Sequence, residues 1–418
     1  MSGMRILFFS HYFPPEGNAP ATRTYENCRR WVAAGHDVTV ITCAPNAPEG
    51  VVYEGFKNRL YQKEQMDGID VRRVWTYVAA NKGFLRRSIN FVSYMCTALF
   101  FSLFVKRPDI TIATSPQFFC GWAGVLCSKL RRTPFILEIR DIWPESILAV
   151  GAMKKSLTIR LLEWLELRMY AAANHIVTVG DGYRQKLLEK GVPESRISIV
   201  MNGVDRETFV PCPPDERLKE EWGLQGKFIC GYVGTIGMAC GLNTVLETAQ
   251  ALEAQGNGDV VFMLVGDGAM KAELEERAAS LELDNVVFTG RQPKAQIPAY
   301  LSIMDVCLVC LRKSELFTTV MPSKIFEAAA MRKPIINSVS GFAGDFIEVA
   351  HAGVNIEPEN PAQLLETVLL LKNTPEMREE YGASGMNYVL AHYDRSELAA
   401  AYLEIIEDIA NGSKETAD

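Results

Sequence analysis

The tetrapeptide Val-Gly-Asp-Gly occurs twice in this chain, at Val179–Gly182 and Val265–Gly268, each time where an apolar run gives way to a helix-patterned one. A strand that turns tightly through glycine into a helix is half of a parallel crossover unit. Two such turns point to an α/β chain, and the remaining sequence keeps the same alternation. Arg5–Ser10 is apolar, His11–Pro20 is turn-rich, Ala21–Ala34 has helical spacing closed by Gly35, and Asp37–Cys43 reads as a strand. Further strands are expected at Ile69–Trp75, Ile110–Ala113, Phe135–Ile139, His175–Val179 and Arg196–Val200. Prolines in Phe209–Arg217 halt regular structure, and the pattern then restarts. Strands follow at Phe228–Val233, Val260–Val265, Val286–Thr289, Val306–Leu311 and Pro334–Asn337, with helices at Leu242–Glu253 and Met270–Ser280. The sequence therefore predicts two doubly wound α/β domains, residues 1–205 and 206–392. A ligand is expected in a cleft between them. Met386–Ile409 is helical by pattern with an interruption near Ala391–Asp394.

Composition narrows the function. The 418 residues carry 43 basic and 50 acidic side chains, a net charge of −7, which argues against a nucleic-acid partner. The charge is uneven: Asn81–Thr133 holds eight Lys or Arg against the single acid Asp109. Such a field attracts phosphates or anionic headgroups, unless it is simply a solvated face. The ten cysteines have no disulfide rhythm, and Cys307 and Cys310 lie three apart in an apolar strand, pointing to opposite faces. They read as core thiols of a reducing compartment, the cytoplasm, with no metal site. The start Met1–Arg5 passes into a strand without a signal-peptide pattern.

The segment Phe317–Met331 contains the most chemistry. Pro322 suits the first position of a helix, which puts Ser323 and Lys324 in a first turn with free amides and a positive dipole end. Lys324 and Glu327 share a face. They could form an ordinary i,i+3 ion pair. Alternatively the cation and amides could take a diphosphate while the carboxylate, one turn deeper, accepts a ribose diol.

Pro14-Pro-Glu-Gly17, Asn202-Gly-Val-Asp205, Gly266-Asp-Gly268 and Pro322–Glu327, set in two α/β domains, together resemble the retaining glycosyltransferases of family 4. Those enzymes have the GT-B fold, two Rossmann-like domains facing across a cleft. Arg140-Asp-Ile-Trp-Pro-Glu-Ser146 is similar to a signature of the bacterial O-antigen and capsule polysaccharide enzymes. The resemblance implies a nucleotide-sugar donor on the second domain, an acceptor on the first, and neither metal nor cofactor. It also implies that the tail helix, 393–410, packs back on the first domain.

Residue by residue, the resemblance makes Glu327 the second of the family's paired glutamates, which binds the nucleotide ribose. The first would fall at Thr319, so contact with the donor sugar passes to the backbone around Val320 and Met321. The family's loop Arg and Lys would align with Thr235 and Cys240 in Gly234–Gly241. Diphosphate charge is therefore assigned to Lys324, then Arg140, then Arg291, which reads equally well as a solvated loop charge. Gly234, Thr235, Gly237 and Ser323 complete the donor side, with Glu16 and Gly17 on the loop after the first strand. The family's histidine would fall at Arg140. Asp141 and Glu145, at the carboxyl end of Phe135–Ile139, are placed to receive an acceptor hydroxyl or orient a sugar. A retaining front-face route lets the leaving diphosphate take the incoming proton, so the enzyme mainly aligns and stabilises charge. His11, beside aromatic residues, reads as structural.

Ile89–Val105 is almost unbroken apolar sequence bracketed by Arg86, Arg87, Lys106 and Arg107. As a helix it reaches about 25 Å, short of a bilayer core of about 30 Å. Residues 84–107 and 153–173 are thus expected either to bury an apolar stripe on the sheet or to rest on a membrane surface. The expected activity moves an N-acetylated hexosamine or deoxyhexosamine from a UDP-sugar to a polyprenyl-diphosphate-linked saccharide. The enzyme would work at the inner face of the cytoplasmic membrane, in O-antigen, lipopolysaccharide or capsule synthesis. The alternatives are a nucleotide-sugar 2-epimerase and a non-catalytic nucleotide-sugar-binding subunit.

Overall fold

The computed structural model describes residues 3–47, 50–79, 84–115, 117–145 and 156–415. Lys82, Ser146 and Met153–Lys155, all within segments named above, lie outside them. The chain forms two compact units, Met1–Asn202 with Ser396–Asp418, and Gly203–Arg395.

The first unit is built on one sheet of β1 (Arg5–Phe9), β2 (Asp37–Cys43), β3 (Tyr61–Met66), β4 (Ile69–Val74), β5 (Ile110–Thr114), β6 (Phe135–Ile139), β7 (His175–Thr178) and β8 (Ile197–Ile199). The strand order is β3-β4-β2-β1-β5-β6-β7-β8. All pairings are parallel except β3 with β4, an antiparallel hairpin at the edge. The sheet's central strands are buried along their length, as helices on both faces require. The helices are α1 (Ala19–Ala33), α2 (Phe84–Ser102), α3 (Phe118–Arg131), α4 (Leu157–Ala172) and α5 (Asp181–Glu189). Asn18 caps α1 by accepting from the Ala21 amide, with Pro20 in the first turn, so the helix starts two residues before the predicted Ala21.

A buried ion pair crosses this core. Arg23 Nε donates to Glu138 Oε1 at 2.8 Å, and its other nitrogens donate to the carbonyls of Val200 and Met201 and to Asn202 Oδ1. One arginine of α1 thereby fixes both β6 and the last residues of the unit before the chain leaves it.

The second unit has a six-stranded, wholly parallel sheet: β9 (Phe228–Val233), β10 (Val260–Val265), β11 (Val286–Gly290), β12 (Val306–Cys310), β13 (Ile335–Ser338) and β14 (Gly353–Asn355). Its order is β11-β10-β9-β12-β13-β14, reversing direction between β9 and β12. The crevice at the carboxyl ends of those two strands is where such sheets bind ligands. The helices are α6 (Glu216–Glu221), α7 (Asn243–Ala254), α8 (Lys271–Ser280), α9 (Ile297–Ile303), α10 (Lys324–Ala330), α11 (Phe342–Ala350), α12 (Pro361–Asn373) and α13 (Pro375–His392). The predicted interruption near Ala391–Asp394 separates α13 from the last helix, α14 (Arg395–Glu415). There Val204 and Asp394 form an isolated parallel bridge. Beyond it α14 packs into the first unit, where Trp31 Nε1 donates to the Ala399 carbonyl and the Tyr402 ring meets the Trp31 ring edge-on.

Candidate functional site

In the second unit, the loops leaving β9, β10 and β11 are stitched to one another through their backbones. Gly234 N donates to Val265 O, Ile236 N to Asp267 O, Gly266 N to Gly290 O, and Met270 N back to Ile236 O, all within 3.0 Å. The repeated glycines make this possible. A side chain on Gly266 would place its Cβ 1.9 Å from the Gly234 carbonyl oxygen, and Gly266 has φ +148°. The Gly-Asp-Gly turn thus serves as a floor under the loop Gly234–Gly241.

Lys324 comes to this floor from the other side of the switch point. Its Nζ stands 3.5 Å from the centre of the Tyr232 ring on β9, and a Cβ built on Gly234 would lie 3.2 Å from it. Burial lowers the ammonium's pKa, partly offset by the thiols of Cys240 and Cys310 and by Glu327. Burial likewise raises the Glu327 carboxyl, against the pull of Arg395, Lys294 and Lys324. The i,i+3 ion pair open to the sequence is not formed: among the described residues Lys324 and Glu327 are not salt-bridged, and neither side chain makes a hydrogen bond. Two half-buried, unpaired charges of opposite sign are costly to keep apart unless a ligand takes up both.

The helix begins later than its sequence suggests. Pro322 and Ser323 precede α10 in a tighter turn, with Ile325 N bonded to Pro322 O and Phe326 N to Ser323 O. Pro322 is thus outside the helix and Ser323 is its N-cap, without a side-chain cap bond. Among the described residues the amides of Ser323 and Lys324 have no acceptor. Val320 and Met321 are half-buried just before them, while Thr319 is turned back on its own 3-10 turn, its hydroxyl donating to Leu316 O. Gly237 has ordinary extended backbone and room for a methyl group. Arg291 is exposed on the loop after β11.

In the first unit, Asp141 lines a water-sized hollow with Ser115, Gln117, Phe118, Trp143 and Tyr170 at the carboxyl end of β6. Arg140 begins the same loop, its amide donating to Ser115 Oγ, and its charge helps hold Glu138 ionised. Glu145 is paired with Lys190 at 2.9 Å, which also holds the buried Glu166 at 2.8 Å. Glu16 is buried, with Oε1 accepting from the amides of Asn46 and Ala47, while Gly17 is exposed with open space around it. Sequence reasoning missed Arg73, which locks the same loop from β4 by donating to Pro14 O and Cys43 O while pairing with Glu64. Its partners are too distant in sequence for any local pattern to give them away. His11 is enclosed by Tyr12, Phe91 and Tyr94, and burial pushes its pKa down to about 3.

Among the described residues no group of three or more His, Cys, Asp or Glu is placed to hold a metal ion, and no helix is long and apolar enough to cross a membrane.

Two parallel lobes with a phosphate-ready turn at the second lobe's switch point are the build of a GT-B glycosyltransferase, and the comparisons agree. Residues 18–203 match the family model "Glycosyl transferase 4-like domain", and residues 214–387 match "Glycosyl transferases group 1". The chain belongs to glycosyltransferase family 4, of the bacterial polysaccharide type. WcaI of Escherichia coli (strain K12), a colanic acid biosynthesis glycosyl transferase by name, is 27% identical over 392 residues, covering 90% of this chain and 95% of WcaI. Sucrose-phosphate synthase from Thermosynechococcus elongatus has the same fold, with a TM-score of 0.79 at 15% identity over 98% of this chain and all of that one. Anabaena HepE in complex with UDP-glucose superposes with a TM-score of 0.72 at 17% identity, covering 97% of this chain and all of HepE.

Proposed function

We propose that this glycosyltransferase takes its sugar from a UDP-sugar and passes it, with retention and without a metal ion, to a polyprenyl-diphosphate-linked saccharide of a surface polysaccharide. The observation that carries the reading is Lys324: a half-buried ammonium with no anionic partner among the described residues, next to the Gly234 backbone and beside the free amides of Ser323 and Lys324. A diphosphate would satisfy all three groups. Glu327, one turn further, would accept the ribose hydroxyls, and the Val320–Met321 backbone would face the donor sugar. HepE's complex with UDP-glucose favours uridine as the base. WcaI's name favours a polysaccharide product, and an N-acetylated hexosamine or deoxyhexosamine is the first sugar to try. Asp141, at its hollow, is the acceptor-side residue the geometry supports best, whereas Arg140 and Glu145 act mainly through Glu138 and Lys190.

A membrane-bound acceptor accounts for two helix faces of the first unit. α2 buries Phe91, Tyr94 and Ala98 and exposes Ile89, Val92 and Phe100, followed by exposed Leu103 and Phe104. α4 buries Ile159, Leu162 and Met169 and exposes Leu157, Leu161, Trp164 and Leu167, with Arg168 over the Trp164 ring. Apolar stripes edged by arginines suit the interface of an anionic bilayer. Incubation of the purified enzyme with UDP-sugars and a synthetic polyprenyl-diphosphate saccharide, with and without EDTA, tests the whole reading. Transfer with the donor's anomeric configuration retained, unaffected by EDTA, is expected. Inversion, loss of transfer in EDTA, or turnover only of GDP- or ADP-sugars would refute it.

A further inference from the structure

Tyr232 touches both halves of the donor site from beneath. It is fully buried in the central strand β9. Its ring face lies 3.5 Å from Lys324 Nζ, and its hydroxyl donates to the Thr235 carbonyl at 2.7 Å. The Cys240 thiol reaches that carbonyl as well, at 3.2 Å. The first contact gives a half-buried ammonium, which has no carboxylate partner among the described residues, an electron-rich surface to rest on. The second sets the path of the loop on which Lys324 acts. One side chain therefore fixes the distance between cation and loop before any ligand arrives.

We propose that Tyr232 is a positioning residue for the transfer reaction, holding Lys324 and the Gly234–Thr235 backbone at the spacing a nucleoside diphosphate requires. A ring occupies only one side of an ammonium and leaves its other side to phosphate oxygens, so the contact pre-organises the site without competing for it. An acidic residue in the ring's place would neutralise the cation, and an aliphatic one would leave a flexible lysine to be ordered on each binding event. The inference rests on the reading of Lys324 as the cation of the donor diphosphate.

Ring electronics can be varied without changing the packing. Tyr232→Phe removes only the hydroxyl, and phenylalanines of increasing fluorination placed at 232 by codon suppression then weaken the ring's hold on a cation stepwise. Calorimetric titration with UDP should show affinity falling stepwise with fluorine content, by about ten-fold across the series. The same series in a Lys324→Ala background should be flat. Tyr232→Phe itself should raise the donor KM several-fold with kcat near wild type, because the loop loses its tether while the cation keeps its seat. A flat or rising series in the wild-type background, or an equal fall in both backgrounds, would overturn the proposal, since the ring would then act only through the fold. UDP binding to Lys324→Ala at wild-type strength would overturn the underlying reading of Lys324 instead, so the two failures are distinguishable.

Discussion

The Cβ that an alanine would bring to Gly266 falls 1.9 Å from the carbonyl oxygen of Gly234, a contact between two backbones with no flexible side chain to give way. The second Val-Gly-Asp-Gly turn is thus fitted to the Gly234–Gly241 loop beside it. Gly266→Ala is expected to displace that loop, lowering stability by about 1–3 kcal/mol and UDP affinity with it. Gly17→Ala, where a methyl group meets nothing within 4 Å, should leave the melting temperature unchanged. Thermal unfolding with and without UDP measures both, and equal behaviour of the two variants would contradict the account.

The buried pair in the first unit predicts a pH effect. Burial pushes the Glu138 carboxyl up, but Arg23 and Arg140 together hold it below the usual carboxylate range. A depressed folded-state pKa gives stability that is complete above the unfolded value, near pH 4.5, and lost as pH falls through the folded value. Arg23→Met leaves the carboxylate without its hydrogen-bonded partner, so stability at neutral pH should drop by about 3–5 kcal/mol. The acid-unfolding midpoint should also move to higher pH. Urea titrations at pH 7.5 and an acid titration followed by circular dichroism check both, and unchanged midpoints would show that the pair contributes nothing.

The exposed stripes of α2 and α4 predict vesicle binding. Wild type should co-sediment with vesicles containing an anionic lipid and not with neutral ones. Replacing Phe104 and Trp164 together by Glu should weaken that binding at least ten-fold, since each large side chain contributes about 1.5–3 kcal/mol when buried. UDP affinity should be untouched. Equal sedimentation of variant and wild type would remove these faces from the membrane surface.

Much of this architecture was open to reading because its strands are short, apolar and bounded by glycine or proline. Val260–Val265 is buried end to end and Phe228–Val233 in all but its last residue, and the structure puts both strands where the sequence does. Tyr61–Met66 escaped because an edge strand of sequence Tyr-Gln-Lys-Glu-Gln-Met faces solvent and carries no apolar alternation. The Phe317–Met331 segment was legible as a motif but not as geometry. Spacing alone leaves open whether Lys324 and Glu327 pair or together face a ligand, whereas in the structure a tertiary contact turns the lysine toward Tyr232, about ninety residues earlier. Glu16 entered the candidate site through the resemblance of its loop, and Glu145 through its place after the carboxyl end of Phe135–Ile139. Their partners, the amides of Asn46 and Ala47 and the ammonium of Lys190, exist only once distant segments meet.

The central claim is that Lys324 carries the charge of the donor diphosphate, and nucleotide binding without turnover tests it most directly. Calorimetric titration of wild type, Lys324→Ala and Glu327→Ala with UDP and with uridine separates phosphate from ribose. Lys324→Ala should bind UDP at least thirty-fold more weakly, about 2 kcal/mol, with uridine affinity unchanged, whereas Glu327→Ala should lose affinity for both. A folded Lys324→Ala protein that binds UDP as tightly as wild type would contradict the account.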